Sequence, residues 1–569
     1  MACTRKVLLR IGTHRLFTQA LHLIFEALFT EYYVHGFLLV VDTRSAKKET
    51  STPNGQWRLC ISKLGVCVLV IAQVVHVACS VLHQIGVAAA LSKHARTWRL
   101  VASQSRIPSD YGLAFVFGLS WWSLRLALVP SAVSFTMATA AIGFFSGSPI
   151  AFAQFEAPEM GLRRYKDEGE LQLVSRAASV GATLIVLVAA LLYDGSSPQQ
   201  RPLREFHWFI LLLCGTAVCG FSGLRRWRRS AQGEGMPSGA HEECGVDSRH
   251  ISVLGATTTL EFSDFVRQTC QRRSIKALLA VRALHCYASI IVVSFFHLFL
   301  ALGCASHLSA AMRAVILAFV VAAPSLFAPL HVICVDSVGK KRHVLIMLFG
   351  VCAVGFLSLV VAFFTRGAAR VAAAPAVGAG YMLTRSIVAI WSCGVLFTLQ
   401  RLLLDGIRDV LDMVQEDVVE EDTILFGRHT SLAAWTRRLC TVVAVPMESL
   451  GCIVTILLLA ATKAFEGVLL ASLSPPIGNT VTIHTLPVSH RNAAAVALEL
   501  TALEGAFPAA MAPTKMASTV LALLGLQTSG AAVIMLFVWH RYYNLEGKHL
   551  QFVQMAIRKR SVEQSVTLV

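Results

Sequence analysis

Apolar residues in this chain fall in long continuous blocks separated by short polar stretches. The blocks do not alternate between apolar and polar positions, so they predict helices and not strands. A bilayer core about 30 Å thick takes about 20 apolar residues in a helix. Only helices and closed barrels satisfy every backbone group inside lipid. The first half of the chain is predicted to hold spans over Leu16 to Val41, Ile61 to Leu91, Tyr111 to Val129, Ala132 to Phe155, Leu171 to Tyr193 and Phe206 to Leu224. The second half is predicted to hold spans over Ala277 to Cys304, His307 to Val335, Val344 to Phe364, Val377 to Leu403, Leu439 to Ala464 and Ala517 to His540.

This reading divides the chain into an N-terminal six-helix half (1–224), a cytoplasmic linker (225–276), a C-terminal six-helix half (277–540) and a cytoplasmic tail (541–569). The fold class is all-α, about twelve transmembrane helices in two pseudo-symmetric halves. Within the linker, Ser230 to Ser248 is rich in Gly, Ser and Glu and is expected to be disordered. The long loop from Ser472 to Thr514 contains Asn492 to Leu503, which suits a short surface helix.

Composition agrees. The chain is 55% hydrophobic and 15% charged, with a mean hydropathy of +0.63, against about 25% charged residues in soluble domains. A net charge of +17 would suggest nucleic acid in a soluble protein. Here the basic residues sit in loops and tails, so no nucleic-acid partner is expected. Arg5, Lys6, Arg10, Arg163, Arg164, Lys166, Arg225, Arg226, Arg558, Lys559 and Arg560 place both termini in the cytoplasm, with Arg44, Lys47 and Lys48 as the main exception. Most of the 15 cysteines lie inside apolar runs and read as small core residues. No metal-ligand spacing, cofactor motif, catalytic constellation or removable signal peptide stands out, so neither an enzyme nor a metal or cofactor site is expected.

The sharpest local motif is Asp336-Ser337-Val338-Gly339-Lys340-Lys341-Arg342 at the end of the eighth span. An acid at a helix end, a glycine and a basic cluster suit a tight cytoplasmic turn. Further on stand Asp405-Gly406-Ile407-Arg408-Asp409-Val410-Leu411-Asp412, then an acidic run and Phe426-Gly427-Arg428. Tyr543-Asn544-Leu545-Glu546 follows the last span, and Glu156-Ala157-Pro158-Glu159 follows the fourth.

Together these motifs resemble the major facilitator superfamily, in its glycoside–pentoside–hexuronide:cation symporter branch, the melibiose-permease-like group. In layout the chain is most similar to the transmembrane protein 180 family, through Glu31-Tyr32-Tyr33-Val34 and Phe262-Ser263-Asp264-Phe265-Val266-Arg267-Gln268. The resemblance implies the major facilitator fold. It also implies that Asp336, Gly339, Lys340, Lys341, Arg342, Asp409 and Asp412 serve cytoplasmic gating. The second and fourth spans lack the acids that hold the cation in melibiose-type symporters. Sodium coupling at that site is therefore not expected.

Ionisable residues inside apolar spans normally face a cavity. Glu26, Glu31, His76, His83, Arg385 and Glu448 are the transport-cavity candidates. Arg125, Arg282 and Arg401 lie near span ends and are expected to snorkel. Glu416, Asp417, Glu420, Glu421 and Asp422 are expected to form a solvated face paired with Arg428 and Arg437. The expected function is alternating-access transport of a small organic solute, sugar-like or lipid-like, proton-linked or uncoupled. The partners are then the solute, protons and the lipid bilayer. The alternative is a transport-inactive scaffold or receptor that keeps the fold.

Overall fold

The computed structural model describes residues 63–93, 167–193, 205–219, 262–296, 310–371, 379–426, 433–462 and 507–553, apart from single positions within them. It also describes 39–41, 59–61, 136, 299–300 and short pieces between 12 and 24 and between 555 and 559. Two short strands come first, β1 (Leu39–Val41) and β2 (Leu59–Ile61). The helices are α1 (Lys63–Lys93), α2 (Asp167–Leu192), α3 (Phe262–Thr269), α4 (Arg273–Ser294) and α5 (Ala310–Val338). After them come α6 (Lys340–Val371), α7 (Ala379–Leu425), α8 (Ala433–Ala461) and α9 (Phe507–Tyr542).

Six of these helices are long and apolar enough to cross a bilayer: α1, α4, α5, α6, α8 and α9. The chain is therefore a multi-pass membrane protein, built almost wholly of helices among the described residues. The strands are the exception to an all-α reading. They pair antiparallel with Leu39 opposite Ile61 and Val41 opposite Leu59. The first predicted span thus ends before Val41, and Ile61 precedes the second. Pairing satisfies the backbone groups of the two short segments.

α6 is apolar on both faces but buries only one. On α6, Val344, Leu348, Val351 and Ser358 are buried, while Phe349, Phe356 and Phe363 stand on the outside at a spacing of seven. Such an exposed aromatic stripe on a helix of mean hydropathy 2.8 belongs in lipid. The buried face meets α9. A Cβ at Gly525 would stand 2.5 Å from the Gly355 carbonyl oxygen, so the two backbones touch directly. Small residues at membrane helix contacts allow this approach.

The contacts also relate the two halves. α1, the second predicted span, packs on α8, the eleventh. α2, the fifth, packs on α5, the eighth. Shifting by six spans turns second into eighth and eleventh into fifth, so each contact is the image of the other. Gln73 Nε2 lies 3.9 Å from Cys452 Sγ at the first of these contacts. Arg438 donates to the Gln84 carbonyl at 3.4 Å at the same contact.

Within the C-terminal half, α7 packs against α4, α5, α6 and α9. It runs on well past Leu403, the predicted end of its span. Leu404, Ile407, Leu411, Val414 and Val418 continue a three-four spacing and are all buried. The apolar stripe thus carries the helix through the charged segment that follows. Phe397 meets Phe296 at 4.9 Å and Phe299 at 6.0 Å between centroids, fixing α7 to the end of the seventh span.

Candidate functional site

The C-terminal part of α7 carries Asp405, Asp409, Asp412, Glu416, Asp417, Glu420, Glu421 and Asp422 on one helix. Asp417 receives Lys340 Nζ at 2.8 and 2.7 Å. The same ammonium donates to the Met413 carbonyl at 3.3 Å. Lys340 opens α6 directly after Gly339, whose φ is +91°. A side chain would strain that backbone, and glycine does not. The turn therefore aims the first basic residue of the cluster at α7.

One helical turn later, Glu421 and Asp422 share the Arg272 guanidinium. Arg272 stands at the join between α3 and α4 and reaches Asp422 at 3.1 Å. His549, in the segment after α9, reaches the other oxygen of Glu421 at 3.0 Å. Leu545 and Val553 on either side of it are buried. Three segments distant in sequence thus converge on one acidic face: the α5–α6 turn, the end of the linker and the tail.

Asp417, Glu421 and Asp422 are buried, which corrects the expected solvated face in part: Glu416 is exposed and Glu420 half-buried. The partners of the three buried acids are Lys340, Arg272 and His549; Arg428 lies outside the described residues. The reason is the stripe beneath them: a helix that buries Val414 and Val418 also buries the positions beside them. Burial pushes the carboxyls of Glu416, Asp417 and Glu420 up, and Lys340 draws Asp417 back toward ionisation.

Nearer the membrane, Asp405 is held by Arg408 at 3.1 Å and Arg401 at 3.5 Å. Arg401 is buried, and Arg282 reaches Asp412 at 2.9 Å. Neither therefore snorkels away from the protein as expected. Each finds a carboxylate one helical turn or one helix away, which is worth more than a stretch to the interface. His285 Nε2 lies 2.7 Å from the Leu404 carbonyl. His331 of α5 and His343 of α6 meet edge to face with centroids 5.7 Å apart, and both are buried. The Nε2 of each lacks a hydrogen-bond partner among the described residues. A Cβ on Gly406 would lie 2.7 Å from the His331 ring, so only glycine there leaves the ring its place.

Of the gating candidates, the structure brings Lys340 to α7, with exposed Gly339 making the turn before it, and seats Asp412 on Arg282. Asp409 lies 3.9 Å from Arg408. Asp336 and Arg342 are exposed, and the Lys341 carbonyl receives the Trp539 indole at 3.3 Å. Among the described residues it is Asp417, not Asp336, that takes the Lys340 charge.

Of the cavity candidates, His76 and Glu448 are half-buried on α1 and α8, one turn from the Gln73–Cys452 contact. Pro446 removes one ladder bond from α8 beside Glu448. His83 and Arg385 have helical backbones. Glu26 and Glu31 lie outside the described residues, as do Ser230 to Ser248 and Asn492 to Leu503. Sequence reasoning missed Arg272, His331, His343, Asp405 and His549 as members of a site. The signal for the acids was present: the apolar spacing stays in phase from Leu404 to Val418, straight through the charged segment.

No protein-family model matches the sequence, and no curated protein matches it. Among solved structures the chain is similar to that of the nucleoside transporter NupG, at 11% identity and a TM-score of 0.48, over 95% of this chain and 99% of that one. It is likewise similar to that of a D-xylose–proton symporter, at 12% identity and a TM-score of 0.48, over 95% of this chain and 98% of the other.

Proposed function

We propose that this chain is a membrane transporter with the major facilitator fold, moving a small organic solute by alternating exposure of a site between its two halves. The observation that carries the reading is the paired contact of α1 with α8 and of α2 with α5. Two contacts that exchange under the repeat leave a pseudo-axis between the halves, about which each half can rock as a unit. His76 and Glu448 belong to this interface and are the polar groups best placed to meet a solute. In this arrangement the charged face of α7 ties the α5–α6 turn, the linker and the tail into one cytoplasmic body. Coupling to protons or uncoupled movement both fit a set of span residues in which histidine and glutamate are the titratable groups.

The test is the thermal stability of the purified protein against sugars, nucleosides, lysolipids and amino acids, followed by flux of any stabilising solute into proteoliposomes. A ligand at about 100 times its dissociation constant stabilises by about 2.7 kcal/mol. A stabilising solute that also accumulates supports the reading. Stabilisation without flux across the whole panel, or neither, favours a scaffold that keeps the fold.

A further inference from the structure

We propose that His331 and His343 form a proton-binding site inside the C-terminal half, at which one proton from the cytoplasmic side unseats the α5–α6 turn from α7. The site stands on its own geometry. Its coupling to a solute rests on the transporter reading above.

Both imidazoles are buried, they touch edge to face, and each Nε2 lacks a partner among the described residues. A buried polar nitrogen without a partner is costly, and phenylalanine would fill the same space without that cost. The pair is also close to the cytoplasmic turn. His343 is in the first turn of α6, and its backbone N–H donates to the Gly339 carbonyl at 3.0 Å. His331 stands two turns before the end of α5.

The surroundings decide which protonation state fits the seated arrangement. From α7 the His331 ring is faced by Asp405, beside the Gly406 on which it lies, and His343 faces His331. The anion at the pair is therefore Asp405, and it already serves two arginines. With two cations on one carboxylate, neutral imidazoles match the seated cluster.

A proton on either Nε2 adds a positive charge that competes for Asp405. Arg408 is half exposed and can turn its guanidinium to water, whereas buried Arg401 cannot. The His331 ring lies directly on Gly406. Moving the ring toward Asp405 therefore moves α5 along α7 and carries the Gly339 turn with it. No bond forms or breaks other than the N–H: the proton comes from cytoplasmic water and returns there. Since the rings touch, the charge of one proton on either disfavours a second on the other.

The test is a difference titration of the full chain in lipid nanodiscs, without solute, between pH 8 and pH 4.5. Wild type is compared with His331→Gln, His343→Gln and the double variant. The double variant is expected to take up about one proton fewer than wild type, and each single variant, which keeps one ring, as many as wild type. Uptake equal to wild type in the folded double variant overturns the proposal, and so does a loss of two protons in it. If the double glutamine variant does not fold, His331→Phe with His343→Phe, which fills the same space, decides by the same loss. Asp405→Asn keeps both rings and removes the anion that favours a charged imidazole; it is expected to lower the pH of uptake, and an unchanged pH counts against the proposal. With a transported solute in hand, flux of the double variant is expected to lose its pH dependence. A proton loss with unchanged flux profile overturns the coupling and leaves the site. Absence of flux in wild type at every pH bears on the transporter reading instead.

Discussion

Lys340 reaches both carboxylate oxygens of Asp417, at 2.8 and 2.7 Å, from a helix start placed by a glycine of positive φ. The acid is almost fully buried, with 6% of its side chain exposed, and the lysine keeps 28%. Lys340→Ala leaves that carboxylate buried without its cation. Breaking a fully buried pair costs about 3–5 kcal/mol, and with the lysine partly in water we expect about 2–3 kcal/mol. Thermal unfolding of the two proteins in the same detergent measures it. Asp417→Asn together with Lys340→Ala should recover more than half of the loss, and a double variant as unstable as the sum of the singles would refute the pairing.

Gly339 invites a second, simpler measurement. Its φ of +91° is open to glycine and strained for other residues, although space is available around it. Gly339→Ala should destabilise by about 1 kcal/mol or somewhat more, through the backbone alone. Gly215, in an open position without positive φ, is the control: alanine there should be neutral or slightly stabilising.

The pH dependence should show carboxyls against the usual direction, Asp409 among them. The Asp409 side chain reaches water, yet desolvation by its neighbours pushes its carboxyl up to about 6, with Arg408 opposing. The folded chain then binds this proton more tightly than the unfolded chain does. Stability from this group is greatest below the ordinary carboxylate range near pH 4 and falls as pH rises toward about 6. Asp409→Asn should match wild type at low pH and exceed it above pH 6. Melting temperatures at pH 4.5 and 7.5 compare the two, and an asparagine variant less stable at 7.5 would reverse the sign.

How much of this could be read from the chain itself differs by feature. The membrane helices were legible because lipid demands long apolar blocks, and α1, α4, α5, α6, α8 and α9 lie where those blocks are. The extent of α7 was not. Its acidic run looked like a loop, since charge usually marks the end of a span. Its apolar positions from Leu404 to Val418 kept helical phase, and that phase outweighed the charge. Lys340 was legible as a member of a turn motif, but its partner was not. Asp417 is distant in sequence and shares no motif with it. His331 and His343 become a pair only because a tight turn folds α6 back beside α5.

The contact of the halves can be trapped chemically. Gln73 and Cys452 approach to 3.9 Å across it. In a background with the other cysteines replaced by serine, Gln73→Cys should crosslink to the native Cys452 under mild oxidation or with a short bismaleimide. A cleavage site engineered in the linker lets a gel separate crosslinked from free halves. Failure to crosslink in folded protein would remove the α1–α8 contact and with it the paired-contact argument.

The α6–α9 contact gives the last test. A Cβ on Gly525 would meet the Gly355 carbonyl at 2.5 Å as well as the Leu359 side chain at 2.7 Å, and of the two only the side chain can turn aside, so Gly525→Ala overpacks the contact. It should cost about 1–3 kcal/mol as overpacking, read as a lower melting temperature. A variant as stable as wild type would mean that the two backbones can separate at little cost.

The length of α7 has a mechanical meaning. From Leu404 to Asp422 the helix extends about 27 Å at 1.5 Å per residue. A tilt of about 10° at the membrane end then sweeps the far end through about 5 Å, more than the roughly 4 Å reach of an ion pair. The helix is a lever, and its tip holds the linker and the tail. A small rotation inside the bilayer and an intact grip on Arg272 and His549 therefore exclude one another, so a motion slight at the membrane end would be felt by those two segments as release.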